Sequence, residues 1–394
     1  MDFVIISTAD WDNPFWTNKQ HVAKTLVSLG HRVLYVESLG LRRPSITKSD
    51  GYRILKRLQK VSKGIRQVEE NIWVVSPFSV PLQRIKFIRS FNIQLLIWLI
   101  KTAVRRLGFS KIILWTYSPI SGSLVGKLEE HGSVYHCVDE IKAQPGMPVK
   151  EIEQCETELL KKVDLIFTTS RELQSTRSAI KKECYYFSNV ADFNHFNLTM
   201  SMSYNRPEEF ERLQSPIIGF VGAISGYKLD FKLIEFIATN KPDYQFVFIG
   251  KVGEGDPWTD INNLTVLPNV HFLGPKAYSE LPRYLQYIDI CILPCSINEY
   301  TANMFPMKFF EYLAAGKPVI STNLPALKEY SHLCRLCNTY ENFSSVLEEV
   351  YNNVNQDAIC KGLEEAREHT YEKRTNTMLH ILNKHLMAEV EDKR

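Results

Sequence analysis

Two charged side chains stand out in residues 303–322, an otherwise mostly apolar stretch. Lys308 and Glu311 lie three residues apart and therefore share one face of a helix predicted over residues 306–315. The first turn of such a helix, with free N–H groups and a nearby lysine, suits an anion. A carboxylate one turn further can accept hydrogen bonds from a diol such as a ribose. The pattern predicts either a nucleotide site or a core helix with an internal Lys–Glu pair.

Other candidate residues follow predicted strands, at the sheet edge where doubly wound folds bind ligands. Asp139 follows residues 133–138 and is expected to act as a base, to orient a sugar hydroxyl or to cap a helix. Gly222 and Gly250 follow residues 217–221 and 245–249, and glycine lets a backbone approach a phosphate closely. Lys228 is either a second cation for a diphosphate or a surface lysine. We predict no metal site and no cofactor.

Strand–helix alternation runs through both halves of the chain and positions these candidates. We predict an α/β fold of two doubly wound, Rossmann-like domains facing across a cleft. The predicted domains cover residues 1–195 and 196–375, with a C-terminal helix over residues 376–394 that packs back toward the first domain. The predicted helices include residues 52–66 and 119–130, and residues 189–216 are expected to be an irregular linker.

Charge is distributed unevenly along the 394 residues. Residues 41–110 hold 15 Lys/Arg and three Asp/Glu, a net charge of +12, whereas the rest of the chain carries −9. Apolar residues interleave with these cations, and Trp98, Arg105 and Arg106 farther on also suit a membrane surface. We therefore expect this segment to meet an anionic membrane surface or to be a solvated basic face. No nucleic-acid-binding motif accompanies the charge. The absence of a signal-like start, with eight scattered cysteines, predicts a cytoplasmic protein with reduced thiols.

Several longer motifs resemble GT-B glycosyltransferases of the retaining family 4 type. The most specific is PMKFFEYLAAGKPVIST at residues 306–322, which is similar to the donor-site helix and following strand of that family. The segments DLIFTTSREL, FSNVADFNHF and FLGPKAYSELPRYLQYIDICILP fit the same pattern. Residues 10–37 resemble a branch found in bacterial surface-polysaccharide gene sets, including teichuronic-acid-type enzymes.

The resemblance implies roles for individual residues. Lys228 corresponds to the family residue that holds the donor diphosphate, and Gly222 lies in the loop beneath that residue. Glu311 corresponds to the glutamate that binds the nucleotide ribose. The donor-binding set implied is Gly222, Lys228, Gly250, Asn303, Phe305, Pro306, Lys308 and Glu311, and the catalytic set is Asp139, Lys228 and Lys308. Two positions depart from the family pattern: Asn303 replaces the first glutamate, and Ala223 replaces an arginine.

The resemblance also implies an activity. It is transfer of a sugar from a UDP- or GDP-linked donor to a hydroxyl of a glycan or lipid-linked acceptor, with retention, in cell-surface polysaccharide biosynthesis. The expected location is cytoplasmic and peripheral on the inner face of the plasma membrane. Two alternatives stay open: a nucleotide-sugar epimerase or phosphorylase, and a non-catalytic GT-B member of a polysaccharide assembly complex.

Overall fold

The computed structural model describes residues 1–13, 16–38, 64–78 and 86–392. The chain forms two compact units, Met1–Phe187 together with Thr375–Arg394, and Ser188–Arg374. Residues 188–195, assigned to the first domain from the sequence, belong to the second unit. Most of the predicted helix over residues 52–66 lies outside the described residues. Across the described ranges, no helix has both the length and the apolar content needed to cross a membrane.

The first unit is built on an eight-stranded sheet with the strand order β3-β4-β2-β1-β5-β6-β7-β8. All neighbouring strands are parallel except β3, which is antiparallel to β4. The strands are β1 (Asp2–Ile6), β2 (Arg32–Val36), β3 (Arg66–Glu69), β4 (Ile72–Val75), β5 (Ile112–Thr116), β6 (Gly132–Cys137), β7 (Leu165–Thr168) and β8 (Cys184–Tyr186). The helices are α1 (Asn18–Ser28), α2 (Lys86–Leu107), α3 (Val149–Lys162) and α4 (Arg171–Ser178).

The second unit holds a six-stranded, wholly parallel sheet with the order β11-β10-β9-β12-β13-β14. Its strands are β9 (Ile217–Val221), β10 (Gln245–Ile249), β11 (Val270–Gly274), β12 (Ile290–Leu293), β13 (Val319–Thr322) and β14 (Arg335–Cys337). Its helices are α5 (Phe193–Ser201), α6 (Phe231–Asn240), α7 (Asn262–Thr265), α8 (Leu281–Gln286), α9 (Glu299–Ala302), α10 (Lys308–Ala314), α11 (Tyr340–Asn352) and α12 (Gln356–Glu368). Most strand residues are buried, as expected for parallel sheets covered on both faces.

The final helix, α13 (Tyr371–Asp392), begins in the second unit and ends in the first. In the first unit its Leu386 lies against Gly132 at the start of β6. A Cβ atom at Gly132 would approach Leu386 Cδ2 to 2.8 Å, so the strand and the helix contact each other closely. The first unit is therefore made from two stretches of sequence that flank the second unit.

The α/β class and the two parallel sheets confirm the fold predicted from the sequence, but two local predictions are wrong. Residues 119–130 form turns with a short 3-10 segment, Ser121–Ser123, because Gly126 and Glu129 adopt positive φ angles of 77° and 57°. The linker over residues 189–216 is not irregular throughout, since it contains α5. Asp192 caps that helix by accepting a hydrogen bond from the His195 N–H.

Candidate functional site

The strand order of the second sheet reverses between β9 and β12. Such a reversal leaves a crevice at the carboxyl ends of the strands, which is where open α/β sheets bind ligands. Gly222 directly follows β9, and the segment after β12 leads through α9 to α10. The topology therefore brings the candidate residues of these separate segments to one edge of the sheet.

Two glycines pack backbone against backbone at this edge. The Gly222 N–H donates to the Ile249 carbonyl at 2.9 Å, and the Gly250 N–H donates to the Gly274 carbonyl at 2.9 Å. Gly250 has a φ of +154°, and a Cβ there would lie 1.8 Å from the Gly222 carbonyl oxygen. A Cβ on Gly222 would in turn lie 3.8 Å from Lys308 Cε. The absence of a side chain at Gly250 thus lets the β9 loop and the loop after β10 approach each other, with Gly222 near Lys308.

Lys308 and Glu311 form an ion pair within α10, with Lys308 Nζ 2.6 Å from Glu311 Oε2. The Glu311 residue is 4% exposed, whereas 23% of the Lys308 side chain is accessible. Burial raises the pKa of the Glu311 carboxyl above its usual value, and the charge of Lys308 opposes that shift. Because α10 has only seven residues, the anion-binding capacity of this segment depends mainly on Lys308 and less on aligned peptide dipoles.

Glu311 also interacts electrostatically with His195 and Asp192, neither of which was predicted from the sequence to belong to the site. The His195 ring stacks on Tyr278 with centroids 4.2 Å apart, and His195 Nε2 lies 2.9 Å from the Tyr278 carbonyl oxygen. Burial raises the pKa of the Tyr278 hydroxyl, and the nearby Glu311 and Asp192 carboxylates add to that effect. The sequence feature that could have indicated these residues is the FSNVADFNHF segment, because it contains both Asp192 and His195.

The segment before α10 is held by a side chain from the start of the second unit. The Asn189 carboxamide donates to the Phe305 carbonyl oxygen at 2.6 Å. The Phe305 ring is fully buried and stacks on Phe310 at a centroid distance of 5.5 Å. Pro306 accepts a hydrogen bond from the Phe309 N–H at 3.1 Å. The backbone of Phe305 and Pro306 is therefore firmly placed at the start of α10.

Lys228 lies in the β9 loop and is half-buried. Its ammonium nitrogen is 5.4 Å from the ring centroids of both Tyr227 and Tyr300. Its carbonyl oxygen accepts a hydrogen bond from the Ser296 N–H at 2.9 Å. Within the part of the chain that the structure describes, no carboxylate pairs with this ammonium, so its charge is available to an anion.

Asn303 directly follows α9, where a glutamate was expected from the resemblance. Its amide Nδ2 donates to the Glu299 carbonyl at 2.8 Å, and its backbone N–H donates to the Tyr300 carbonyl at 3.2 Å. The side chain thus caps α9, the short helix that also carries Tyr300 beside Lys228. Asn303 and Lys228 therefore belong to adjoining parts of the same edge.

Asp139 lies in the first unit, after β6, and is the one catalytic candidate outside the second unit. Its Oδ2 is 3.9 Å from the buried ammonium of Lys19. The next residue, Glu140, is buried and receives two hydrogen bonds from Arg177, at 2.6 and 2.9 Å. Arg177 also contacts Glu156 at 3.0 Å. This buried ion triad holds the chain immediately after Asp139.

Comparisons with known proteins bear on these features. Residues 203–332 match the family model described as glycosyl transferases group 1. TuaH of Bacillus subtilis (strain 168), whose name assigns it to teichuronic acid biosynthesis as a glycosyltransferase, is 34% identical over 184 residues. That alignment covers 45% of this chain and 45% of TuaH, so it spans less than half of the relative.

Two solved structures resemble nearly the whole chain. A sucrose-phosphate synthase from Thermosynechococcus elongatus has a TM-score of 0.70 at 12% identity, over 98% of this chain and 99% of that one. HepE of Anabaena, solved with UDP, has a TM-score of 0.66 at 12% identity, over 97% and 99% of the two chains. The chain therefore has the GT-B fold, and its residues 203–332 match the model of the glycosyl transferases group 1 family.

Proposed function

We propose that this protein is a retaining glycosyltransferase that uses a nucleotide-sugar donor in surface-polysaccharide biosynthesis. The observation that carries the proposal is the position of Lys308, paired with the buried Glu311 and in contact range of the Gly222 loop. The glycine loop lets the backbone approach a diphosphate closely, and the Lys308 ammonium can bind that diphosphate. The buried Glu311 carboxylate can accept hydrogen bonds from a ribose. The group 1 family match and the relationship to TuaH support the same activity.

In the proposed reaction, the bond between the anomeric carbon and the donor phosphate oxygen breaks. Its electron pair remains on the departing diphosphate, and the acceptor hydroxyl oxygen bonds to the anomeric carbon. The acceptor proton passes to the departing phosphate oxygen. Lys228 and Lys308 stabilise the negative charge that develops on the diphosphate, which is the largest electrostatic change in the step. Asp139 is proposed to orient the acceptor hydroxyl.

We propose a UDP-linked sugar as the donor, with a GDP-linked sugar as the alternative. HepE, which shares the fold, has been solved with UDP and with UDP-glucose. The acceptor is proposed to be a hydroxyl of a glycan or of a lipid-linked sugar, in keeping with the role that the name of TuaH states.

Calorimetric titration with UDP- and GDP-sugars, followed by transfer assays, tests this proposal. Lys228→Ala and Glu311→Gln should each weaken donor binding or turnover at least tenfold, because each removes about 1.4 kcal/mol or more of charge-assisted contact. Lys232→Ala, which removes an exposed lysine on α6, is the matched control and should behave like the unmodified protein. If both site variants kept turnover within twofold of the control, this site assignment would be wrong.

Asn303 motivates the alternative of a non-catalytic binding protein. Its amide caps α9 and supplies no charge where the resemblance calls for a glutamate. Donor binding without transfer to any acceptor would favour that alternative, whereas isomerisation of the donor would favour an epimerase. Product analysis by mass spectrometry and NMR separates these outcomes from glycosyl transfer.

We also propose that the basic segment over residues 41–110 meets an anionic membrane surface, on the cytoplasmic side. Residues 41–63 and 79–85 lie outside the described residues, so the structural support comes from α2. Phe87, Phe91 and Trp98 are 80%, 51% and 63% exposed and are spaced by four and seven residues, on one helix face. The exposed Arg105 continues that face and Arg106 adjoins it. Aromatic rings with cations suit a lipid headgroup region.

Flotation with vesicles tests the membrane proposal. Binding should require anionic lipid, and Trp98→Ser should reduce it severalfold. Trp258→Ser, which alters a similarly exposed tryptophan (71%) in the second unit, is the matched control. Equal binding to neutral and anionic vesicles, or equal effects of the two substitutions, would contradict the proposal.

A further inference from the structure

We infer that Tyr227 and Tyr300 are positioning residues that hold the ammonium group of Lys228 for the donor diphosphate. We call this pair the tyrosine clamp. The inference rests on the proposed function, since it assigns a role to two side chains that act through Lys228. It adds two aromatic residues, 73 positions apart in the chain, to a site otherwise composed of glycines and charged groups.

The geometry of the clamp is that of a double cation–π contact. Lys228 Nζ lies 5.4 Å from each ring centroid, inside the distance of about 6 Å at which a ring attracts a cation. The two rings meet edge to face, with centroids 4.9 Å apart and an interplanar angle of 74°. The ammonium is thus attracted by two rings that also support each other.

The clamp is fixed by the backbone around it. Tyr300 is 3% exposed and lies on α9, whose start is capped by reciprocal hydrogen bonds between Asn298 and Thr301. The Asn298 carboxamide also donates to the Tyr227 carbonyl at 2.8 Å. The Ser296 N–H donates to the Lys228 carbonyl at 2.9 Å. The β9 loop and the segment before α9 therefore form one assembly that places both rings.

A lysine needs such support to act as a preorganised anion contact. Its four-carbon stem carries many rotamers, and ordering it on binding weakens the interaction with a ligand. In the described residues no carboxylate pairs with the Lys228 ammonium, so the tyrosine faces are the contacts that direct it. A phosphate oxygen can replace a ring as the stronger partner when the donor arrives, without movement of the backbone.

Titration of UDP into a set of variants tests the clamp. Tyr300→Leu should weaken UDP binding by about 3- to 30-fold, the range expected for loss of a cation–π contact. Tyr300→Phe keeps the ring and should stay within about twofold of the unmodified protein. Tyr227→Leu supplies a second test. Because Tyr227 is only half-buried, its replacement is less damaging to the fold than replacement of the buried Tyr300. Thermal melting of each variant reports whether the fold is retained.

The double-mutant cycle with Lys228→Ala decides between positioning and simple support of the fold. If the tyrosines act through the ammonium, Tyr300→Leu should change UDP affinity by less than twofold once Lys228 is alanine. An equal loss in both backgrounds would overturn the clamp and leave the proposed function standing. Unchanged UDP binding by Lys228→Ala alone would instead overturn the site assignment itself, and the clamp with it.

Discussion

Replacement of Gly250 by alanine tests the geometry of the candidate site most directly. The Cβ introduced would lie 1.8 Å from the Gly222 carbonyl oxygen, whereas Cβ contacts under 3.0 Å are essentially never seen. The backbone fixes the position of the Cβ, and the atom it meets is a backbone carbonyl oxygen, so no side-chain rotation can relieve the overlap. One of the two loops must therefore move by more than 1 Å, and the Gly222 loop is the one that lies against Lys308.

Two contributions add to the loss of folding stability caused by Gly250→Ala. Holding a side chain at a φ of +154° costs about 1–3 kcal/mol, and the overlap costs about 1–3 kcal/mol as overpacking. A total of about 4 kcal/mol corresponds to a melting temperature lower by about 8–16 °C for a unit of this size. A displacement of about 1 Å at a positioned site also lowers turnover by about 100-fold.

Gly274→Ala is the matched control. Gly274 has a positive φ of +67°, but a Cβ there would meet no atom within 4 Å. Its cost is the backbone strain alone, about 1–2 kcal/mol. Calorimetric melting and UDP titration of both variants separate strain from overlap. If Gly250→Ala were no more than 1 kcal/mol less stable than Gly274→Ala, the close approach of the two loops would be disproved.

Two further substitutions probe buried charges. Because burial raises the pKa of Glu311 above 4.5, the stability linked to its proton is complete below pH 4.5 and is lost as pH rises through the folded pKa. Glu311→Gln should remove this part of the pH dependence of melting, and an unchanged profile would refute the shift. Arg177→Met leaves Glu140 and Glu156 buried without their cation and should destabilise the first unit by about 3–5 kcal/mol. A loss under 1 kcal/mol in denaturant titration would show that the triad contributes little.

The parallel sheets were predictable because their strands are short apolar runs that recur between helices. The wrong helix over residues 119–130 shows the limit of that signal. Leu124 and Leu128 have helical spacing and are buried in the core of the first unit, as a helix would require. Turns with positive φ at Gly126 and Glu129 bury the same side chains, and hydrophobic spacing alone does not distinguish the two solutions.

Helix α5 illustrates the opposite error. Its sequence, FNHFNLTMS, is rich in residues that form isolated helices poorly. Its stability comes from the rest of the second unit: Phe196 is fully buried, and the Asn197 side chain donates to the Ala314 carbonyl at 3.2 Å. The Asn197 contact is made with a residue 117 positions away, and no local sequence pattern indicates it.

The candidate site was predictable where its residues are close in sequence. The Lys308–Glu311 pair follows from helical spacing, and the strand-end glycines follow from the fold class. The tyrosine clamp does not, since Tyr227 and Tyr300 meet only because β9 and β12 are neighbours in the sheet. The capping of α9 by the Asn303 side chain could likewise not be predicted from the residue type alone.

The contact between Leu386 and Gly132 has a consequence for how the protein is made. The first unit needs the last turns of α13 to cover β6, so it cannot be completed until α13 has been translated. The second unit is continuous in sequence and has no such requirement. At about 5–20 residues per second, the first 187 residues wait on the order of 10–40 s for their missing helix. During biosynthesis the second unit is therefore expected to finish folding first, the reverse of the usual N-terminal order.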